Sequence, residues 1–199
     1  RKVNPNDAMQ GSYLGPSYEQ SPIEKELSAY GAKFDSVAEN EMIEQTAQAL
    51  ADGKAIGWFQ DRMEFGPRSL GGRSILGDPR SEQMQKTLNL KVKYRESFRP
   101  FAPSILSEDI SEWFELEVDS PYMMLVAFVK KDKLIKTTNN QDLLFGIEKL
   151  NVARSSVPAI THIDYSARIQ TVHKDTNLIY HKLISKFKEK TGCPILVNT

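Results

Sequence analysis

The chain has 199 residues, 40% hydrophobic and 26% charged, with 26 Lys and Arg against 26 Asp and Glu. That size and balance suit one substantial globular domain, or a domain with an extension, and argue against a protein that coats nucleic acid wholesale. No apolar run approaches the ~20 residues needed to cross a bilayer, and the single cysteine, Cys193, excludes an internal disulfide framework and suits a reducing cytoplasm.

The first residue is Arg1, no signal-peptide pattern follows it, and the chain stops just after the apolar run Ile195-Leu196-Val197. A fragment of a longer protein is therefore expected. Residues 1–35 are polar and rich in turn residues, which predicts a linker or docking arm with a short helix near Ile23–Tyr30; a partly ordered tail fits the composition equally. Residues 36–199 are expected to form the main domain. Asp35 or Ser36 can cap a helix from Val37 to Ala51, stopped by Gly53, with Met42, Ile43, Ala47 and Leu50 on the stripe facing a sheet. Ala55–Phe59 then reads as a short buried strand.

Gly66-Pro67 breaks the chain, Arg68 to Arg73 form a turn or short helix, and Ser74–Leu76 continue as a short apolar piece. After the turn at Asp78-Pro79-Arg80, Ser81 is expected to cap a helix to Leu90. Phe101–Leu106 reads as a strand, and Ser107 opens an acidic helix to Phe114. The acids from Glu108 to Asp119 read as a solvated face, the alternative being a surface that meets a basic neighbour. Tyr122–Val129 is an apolar strand, and Lys130 to Glu148 an expected mobile surface insertion. Val157–Ile163 and Ala167–Val172 look like two strands around Asp164-Tyr165-Ser166. Asp175 or Thr176 begins a helix to Lys190 with Leu178, Leu183, Ile184 and Phe187 inward; Gly192 ends it, and Pro194–Val197 starts a last strand. Helices alternating with β-branched runs predict an α/β (α+β) fold with a mixed sheet.

The chemistry concentrates between Gly57 and Pro103. From Arg62 to Arg99 there are nine Lys or Arg and four Asp or Glu. Arg68 and Arg73 flank Leu70-Gly71-Gly72, where glycines can turn N–H groups toward an anion as a nest. Lys93, Arg95 and Arg99, at spacings of two and four, project to one side of an extended segment. Two such clusters suit the ends of a polyphosphate and the charge that builds up in phosphoryl or nucleotidyl transfer. There is no Walker or dinucleotide glycine motif. His162 and Asp164 alternate on one strand face as two possible metal ligands, but with no third ligand nearby a hydrogen-bonded histidine is the simpler reading. Cys193 reads as a small core residue. Trp58, Phe59, Phe101, Trp113, Phe114 and Tyr122 read as core or rim; one of them could stack on an adenine, and the sequence leaves open which.

Four stretches in order, GWFQDRMEFGPRSLGGRSILGDPR, KVKYRESFRPFAPSIL, PAITHIDYSARIQTV and TGCPILVNT, strongly resemble the carboxy-terminal domain of the O-carbamoyltransferases of the nodulation and antibiotic-tailoring type. The likeness runs from about Tyr13 to Thr199. It implies a YrdC-like fold, a twisted mixed sheet with flanking helices and a basic concave face. It implies that carbamoyl phosphate and ATP, with Mg2+, are converted to carbamoyl-adenylate as diphosphate leaves. It also implies an amino-terminal domain of the actin-like ATPase type, outside this chain, that carries the transfer-site metal and passes the carbamoyl group to a hydroxyl. Matched to the family motifs, Lys93 and Arg99 are the expected catalytic residues. Arg68, Arg73, Arg95, Arg168, Asn198 and Thr199 are the expected phosphate and nucleotide ligands. Gly72 stands where the family has Asn, Ser69 where it has Ala, and Tyr165 where Gly is common. The resemblance further implies a cytoplasmic protein without a membrane partner, and a chain inactive on its own. The alternatives are an RNA-binding module without chemistry and a purely structural lid on the partner domain.

Overall fold

A computed structural model describes residues 7–136, 144–150 and 152–199. Among them, six strands form one sheet in the order β1-β2-β6-β3-β5-β4. The strands are β1 (Ile56–Phe59), β2 (Arg73–Gly77), β3 (Ala102–Leu106), β4 (Leu125–Phe128), β5 (Ser166–Val172) and β6 (Ile195–Asn198). β3 and β5 run parallel and the other neighbours antiparallel, so the sheet is mixed, as expected. The central strands β3 and β6 are buried at every position, and apart from Ser104 and Asn198 their residues are apolar. β6, the last described strand in sequence, lies between β2 and β3 and joins the two halves of the sheet.

The edges differ from expectation. β1 is an edge strand rather than a buried one: only Trp58 is buried, and Phe59 is 66% exposed. β4, at the other edge, is shorter than Tyr122–Val129, because Met123 takes a left-handed φ of 54° and the Leu125 N–H turns to Ser120 Oγ. Val157–Ile163 is not a strand. Pro158 has no N–H for a ladder; it opens a 3-10 turn, Pro158–Ile160, that places Val157, Ala159 and Ile160 in the core. Tyr165, where the family resemblance implies a glycine, adopts φ 66° at the turn into β5.

Helix α1 spans Gln20–Ala29 and α2 spans Glu39–Ala51. Neither Asp35 nor Ser36 caps α2; its N-cap is Ala38, and Glu39 and Glu41 supply negative charge to the first turn instead. α3 (Met84–Thr87) follows Gln83 rather than a Ser81 cap and runs into a π-helical turn, Leu88–Val92. Ser107–Asp109 and α4 (Ile110–Trp113) form the acidic helix. After α5 (Ile147–Leu150), the long helix α6 (Leu178–Thr191) starts at Asn177, whose Oδ1 accepts the Tyr180 N–H, and ends at Gly192 with φ 75°. Leu178 lies outward on α6, and Tyr180 takes the inward place with Leu183, Ile184 and Phe187. These residues join Ala47 and Leu50 of α2 in the main core. No helix among the described residues is long and apolar enough to cross a membrane.

The acidic stretch is a largely solvated face, as expected, with only Asp109 of its acids buried, and part of it also meets cations. His181 Nε2 lies 2.9 Å from Glu108 Oε1, Lys188 Nζ donates to the buried Asp109 at 2.8 Å, and Lys133 is 3.6 Å from Glu112. The basic neighbour is largely α6 of the same chain. The amino-terminal arm is docked over residues 7–15: Ser12 Oγ donates to Phe65 O at 2.6 Å, and the Gly15 N–H to Met63 O at 3.0 Å. The centre of the expected insertion, residues 137–143, lies outside the described residues, as do residues 1–6 and 151.

Two substitutions test the backbone account. Gly71 sits at φ 103°, and a Cβ there would lie 2.3 Å from Tyr180 Cδ1. Gly71→Ala is expected to lower unfolding free energy by about 2–4 kcal/mol. Tyr165→Gly should instead be neutral to stabilising by about 1 kcal/mol. Urea titration of both variants checks this; a tolerated Gly71→Ala would refute the close approach.

Candidate functional site

The loop between β1 and β2 does form the expected nest, but its anion is internal. Glu64 Oε1 accepts the N–H groups of Leu70 at 2.8 Å, Gly72 at 2.6 Å and Arg73 at 3.1 Å. Glu64 is buried, so the three bonds satisfy a carboxylate that would otherwise be costly to bury. Two of the loop's carbonyls are fastened too. Leu70 O accepts from Tyr13 Oη and from Gln170 Nε2, and Ser69 O accepts from Asn198 Nδ2. The loop is therefore tied to the arm, to β5 and to β6.

Arg73 is held by protein. Its guanidinium donates to Gln60 O at 2.6 Å, Gly72 O at 2.8 Å and Asp61 O at 2.9 Å. Its Cζ lies 3.4 Å from the Phe59 ring centroid, a close cation–π stack.

The second cluster is not extended. The π-helical turn delivers Lys93 in a helical conformation, and Tyr94 follows at φ 49°. The buried Asn89 shapes what comes next. It accepts Arg95 Nε at 2.6 Å and donates to Ser97 O at 3.0 Å and Arg99 O at 2.9 Å. Arg95 lies over Phe101, 5.0 Å from its centroid. The Arg99 side chain pairs with Glu96 at 2.9 Å and is half exposed.

At the end of the sheet where β6 stops and β3 begins, these pieces enclose a hollow of about 230 Å3. Arg68, Lys93, Arg95, Arg168, Asn198 and Thr199 line it, with Phe101, Ala102 and Met123 behind them, and none of its lining residues is acidic. Burial, then the charge of Arg95, pushes the Lys93 amine below the ordinary lysine value. Burial, then Arg68, does the same to Arg168; burial, then Arg99, to Arg95, against a weaker opposing pull from Glu96. The arginines stay charged, so the hollow has a positive field that a bound anion would relieve.

Six of the eight expected site residues thus meet in one hollow. Arg73 lines a neighbouring one, and Arg99 is outside the lining of both. Two buried polar atoms at residues of the hollow lack partners among the described residues: Arg168 Nε, a donor, and Asn198 Oδ1, an acceptor. Asn198 Nδ2 already meets Ser69 O, Ser104 Oγ and Gln170 Oε1. His162 Nδ1 lies 3.1 Å from Ser166 Oγ, which donates to Asp164 Oδ1 at 2.7 Å, so these residues meet through a serine. Cys193 is a buried core residue, its thiol pushed up to about 12 by burial.

Sequence reasoning missed Glu64, Asn89 and Gln170. Each acts through partners distant in sequence or on backbone atoms, and no local pattern marks them. Glu64→Ala would strand three N–H groups, and a loss of about 2–4 kcal/mol is expected. Glu64→Gln, which keeps a carbonyl acceptor, should cost clearly less. Equal losses in chemical denaturation would contradict the nest.

A family model described as Carbamoyltransferase C-terminus matches residues 47–199. The chain is 54% identical, over its full length, to the uncharacterized protein sll1178 of Synechocystis sp., covering 33% of that protein. It is 39% identical to nodulation protein NolNO of Sinorhizobium fredii, over 98% of this chain and 26% of that one. It is 33% identical to the 3'-hydroxymethylcephem-O-carbamoyltransferase of Amycolatopsis lactamdurans, over 78% of this chain and 26% of that one. The chain therefore spans about a third or less of the length of these curated relatives. With a matching family model over most of its length and relatives aligned across nearly all of it, the chain belongs to the carbamoyltransferase C-terminus family.

Proposed function

We propose that the cationic hollow binds carbamoyl phosphate and the phosphates of ATP, and that this domain makes carbamoyl-adenylate for an O-carbamoyl transfer completed elsewhere in a longer protein. The observation that carries the reading is the gathering of Arg68, Lys93, Arg95 and Arg168 around one hollow without an acidic lining residue. In this scheme water releases carbamate and phosphate from carbamoyl phosphate. A carbamate oxygen then attacks the α-phosphorus of ATP, the bond to the β-phosphate oxygen breaks, and diphosphate leaves. Negative charge grows on the leaving diphosphate, and cations already fixed in place stabilise it without reorganising.

The two unpartnered atoms fit the same substrates. Arg168 Nε is a donor for a phosphate or carboxylate oxygen. The amide nitrogen of Asn198 is committed to protein acceptors, which leaves Oδ1 to receive an N–H. A carbamoyl group has an NH2 to give and a phosphate does not. With no carboxylate in the lining, Mg2+ would come with the nucleotide, held by its phosphates. Arg73 serves this site by position, clamping the end of β2. Arg99 acts directly only if its pair with Glu96 opens. In this scheme the hydroxyl acceptor and the transfer-site metal are assigned to a further domain, for which the additional length of the curated relatives leaves room.

The test is carbamoyl phosphate-dependent exchange of labelled diphosphate into ATP by the full-length enzyme. Arg68→Ala and Lys93→Ala are each expected to lower exchange at least ~100-fold. Wild-type rates in both would remove the assignment. Arg99→Ala, measured for exchange and for stability together, separates a role at the hollow from one in holding the 93–99 loop.

The pH dependence has a definite sign. An anion binds the charged form of Lys93, whose pKa is lowered. Affinity for carbamoyl phosphate should therefore be full below that pKa and fall as pH rises through it, on the alkaline side but below the ordinary lysine value. Lys93→Arg should flatten the profile. Calorimetric titration across the alkaline range reads it; a flat wild-type profile would count against Lys93 as an anion ligand.

A further inference from the structure

A second hollow, of about 380 Å3, adjoins the cationic one and shares Ser69, Lys93 and Thr199 with it. Its other walls are Gly57, Trp58, Phe59, Arg73, Ser74 and Ile75, from the β1–β2 edge of the sheet. The aromatic residues divide cleanly here. Trp58, Phe101, Trp113 and Phe114 are buried, and Tyr122 is half-buried and donates to Asp7. Phe59 alone of the six is largely exposed, and it faces Arg73 across the β1–β2 ladder.

We infer that Phe59 and Arg73 form a stacking platform for the base of the nucleotide whose phosphates lie against Lys93. The inference rests on the nucleotide reading above and adds where the base sits. Three properties support it. The platform is rigid before binding, because three backbone carbonyls fix the guanidinium and the guanidinium covers the ring; little ordering is left to oppose binding. The floor is open, because a Cβ built on Gly57 would meet nothing within 4 Å. The connection is short, because Lys93 and Thr199 belong to both hollows. A ligand anionic at one end and planar at the other matches this pair of hollows, whereas a small anion such as carbamoyl phosphate uses only the first. Covering an exposed phenylalanine with a base removes apolar area from water and adds π stacking.

The experiment measures affinity of the full-length protein for ATP and for inorganic triphosphate, in wild type, Phe59→Ala and Phe59→Leu. Phe59→Leu keeps an apolar cover on Arg73 while removing the ring, which guards against a merely distorted edge. Both variants are expected to bind ATP ~10–100-fold more weakly and triphosphate as wild type does. Phe59→Trp should restore ATP binding. Unchanged ATP affinity in both variants, or an equal loss for ATP and triphosphate, overturns the platform. A wild type that binds neither ligand overturns the nucleotide reading itself, and the platform with it.

Discussion

A single buried carboxylate sets the shape of the region where function is expected. Glu64 gathers the N–H groups of Leu70, Gly72 and Arg73 onto one oxygen, and that forces the chain between Gly66 and Arg73 to curl around it. The curl places Gly71 against the Tyr180 ring and turns the Leu70 carbonyl toward Tyr13 and Gln170. Arg68 and Ser69 are left on the side of the hollow. Because the nest is already filled, the loop does not wait for a ligand to order it. Cations carried by an ordered loop lose little entropy on binding and so contribute more to stabilising developing charge.

Electrostatics elsewhere are arranged differently. Over the chain, positive and negative residues balance, yet Glu108, Asp109, Glu112 and Asp119 are met by His181, Lys188, Lys133 and His173. Glu39 and Glu44 meet Lys182 and Lys190. Exposed pairs of this sort contribute little stability. Their effect is on distribution: acids and bases neutralise each other across the contacts of α6 with α2 and with the Ser107–Asp109 turn, while the hollow's four cations are held near one another with no acid in the lining. Burial, and after it the crowding of like charges, costs free energy, visible in the lowered pKa values of Lys93, Arg95 and Arg168. An anionic ligand recovers that cost.

Much of the fold was legible because burial and chemistry agree along the central elements. β3, β5, β6, α2 and α6 combine apolar periodicity with clear stops, and Gly192 ends α6 where a left-handed residue is required. The edges were harder to read: Ile56–Phe59 is as apolar as a core strand, and only the sheet order reveals that Phe59 has no neighbour on its outer side. Val157–Ile163 has the composition of a strand, but Pro158 bends it into a plug. At the site, clustering of cations in sequence foretold clustering in space for Arg68, Lys93 and Arg95. It did not tell which guanidinium would be consumed by protein. Arg73 goes to backbone carbonyls and Arg99 to Glu96, and those partners depend on loop geometry that spacing does not encode. The glycine nest was legible as a nest, while the identity of its anion was not.

The place of β6 has a consequence for how the molecule is made. β1 and β2 form a local hairpin, and β3, β5 and β4 form a separate ribbon; β6 alone bonds to both. It follows them all in sequence. During synthesis the two half-sheets must wait, each with an unpaired border, until the final strand slots between them. Asn198, on that strand, is also the residue that fastens the Arg68 loop to Ser104 and Gln170. Closing the sheet and completing the hollow are therefore one event, so a nascent chain cannot enclose the cationic hollow before its backbone is sealed.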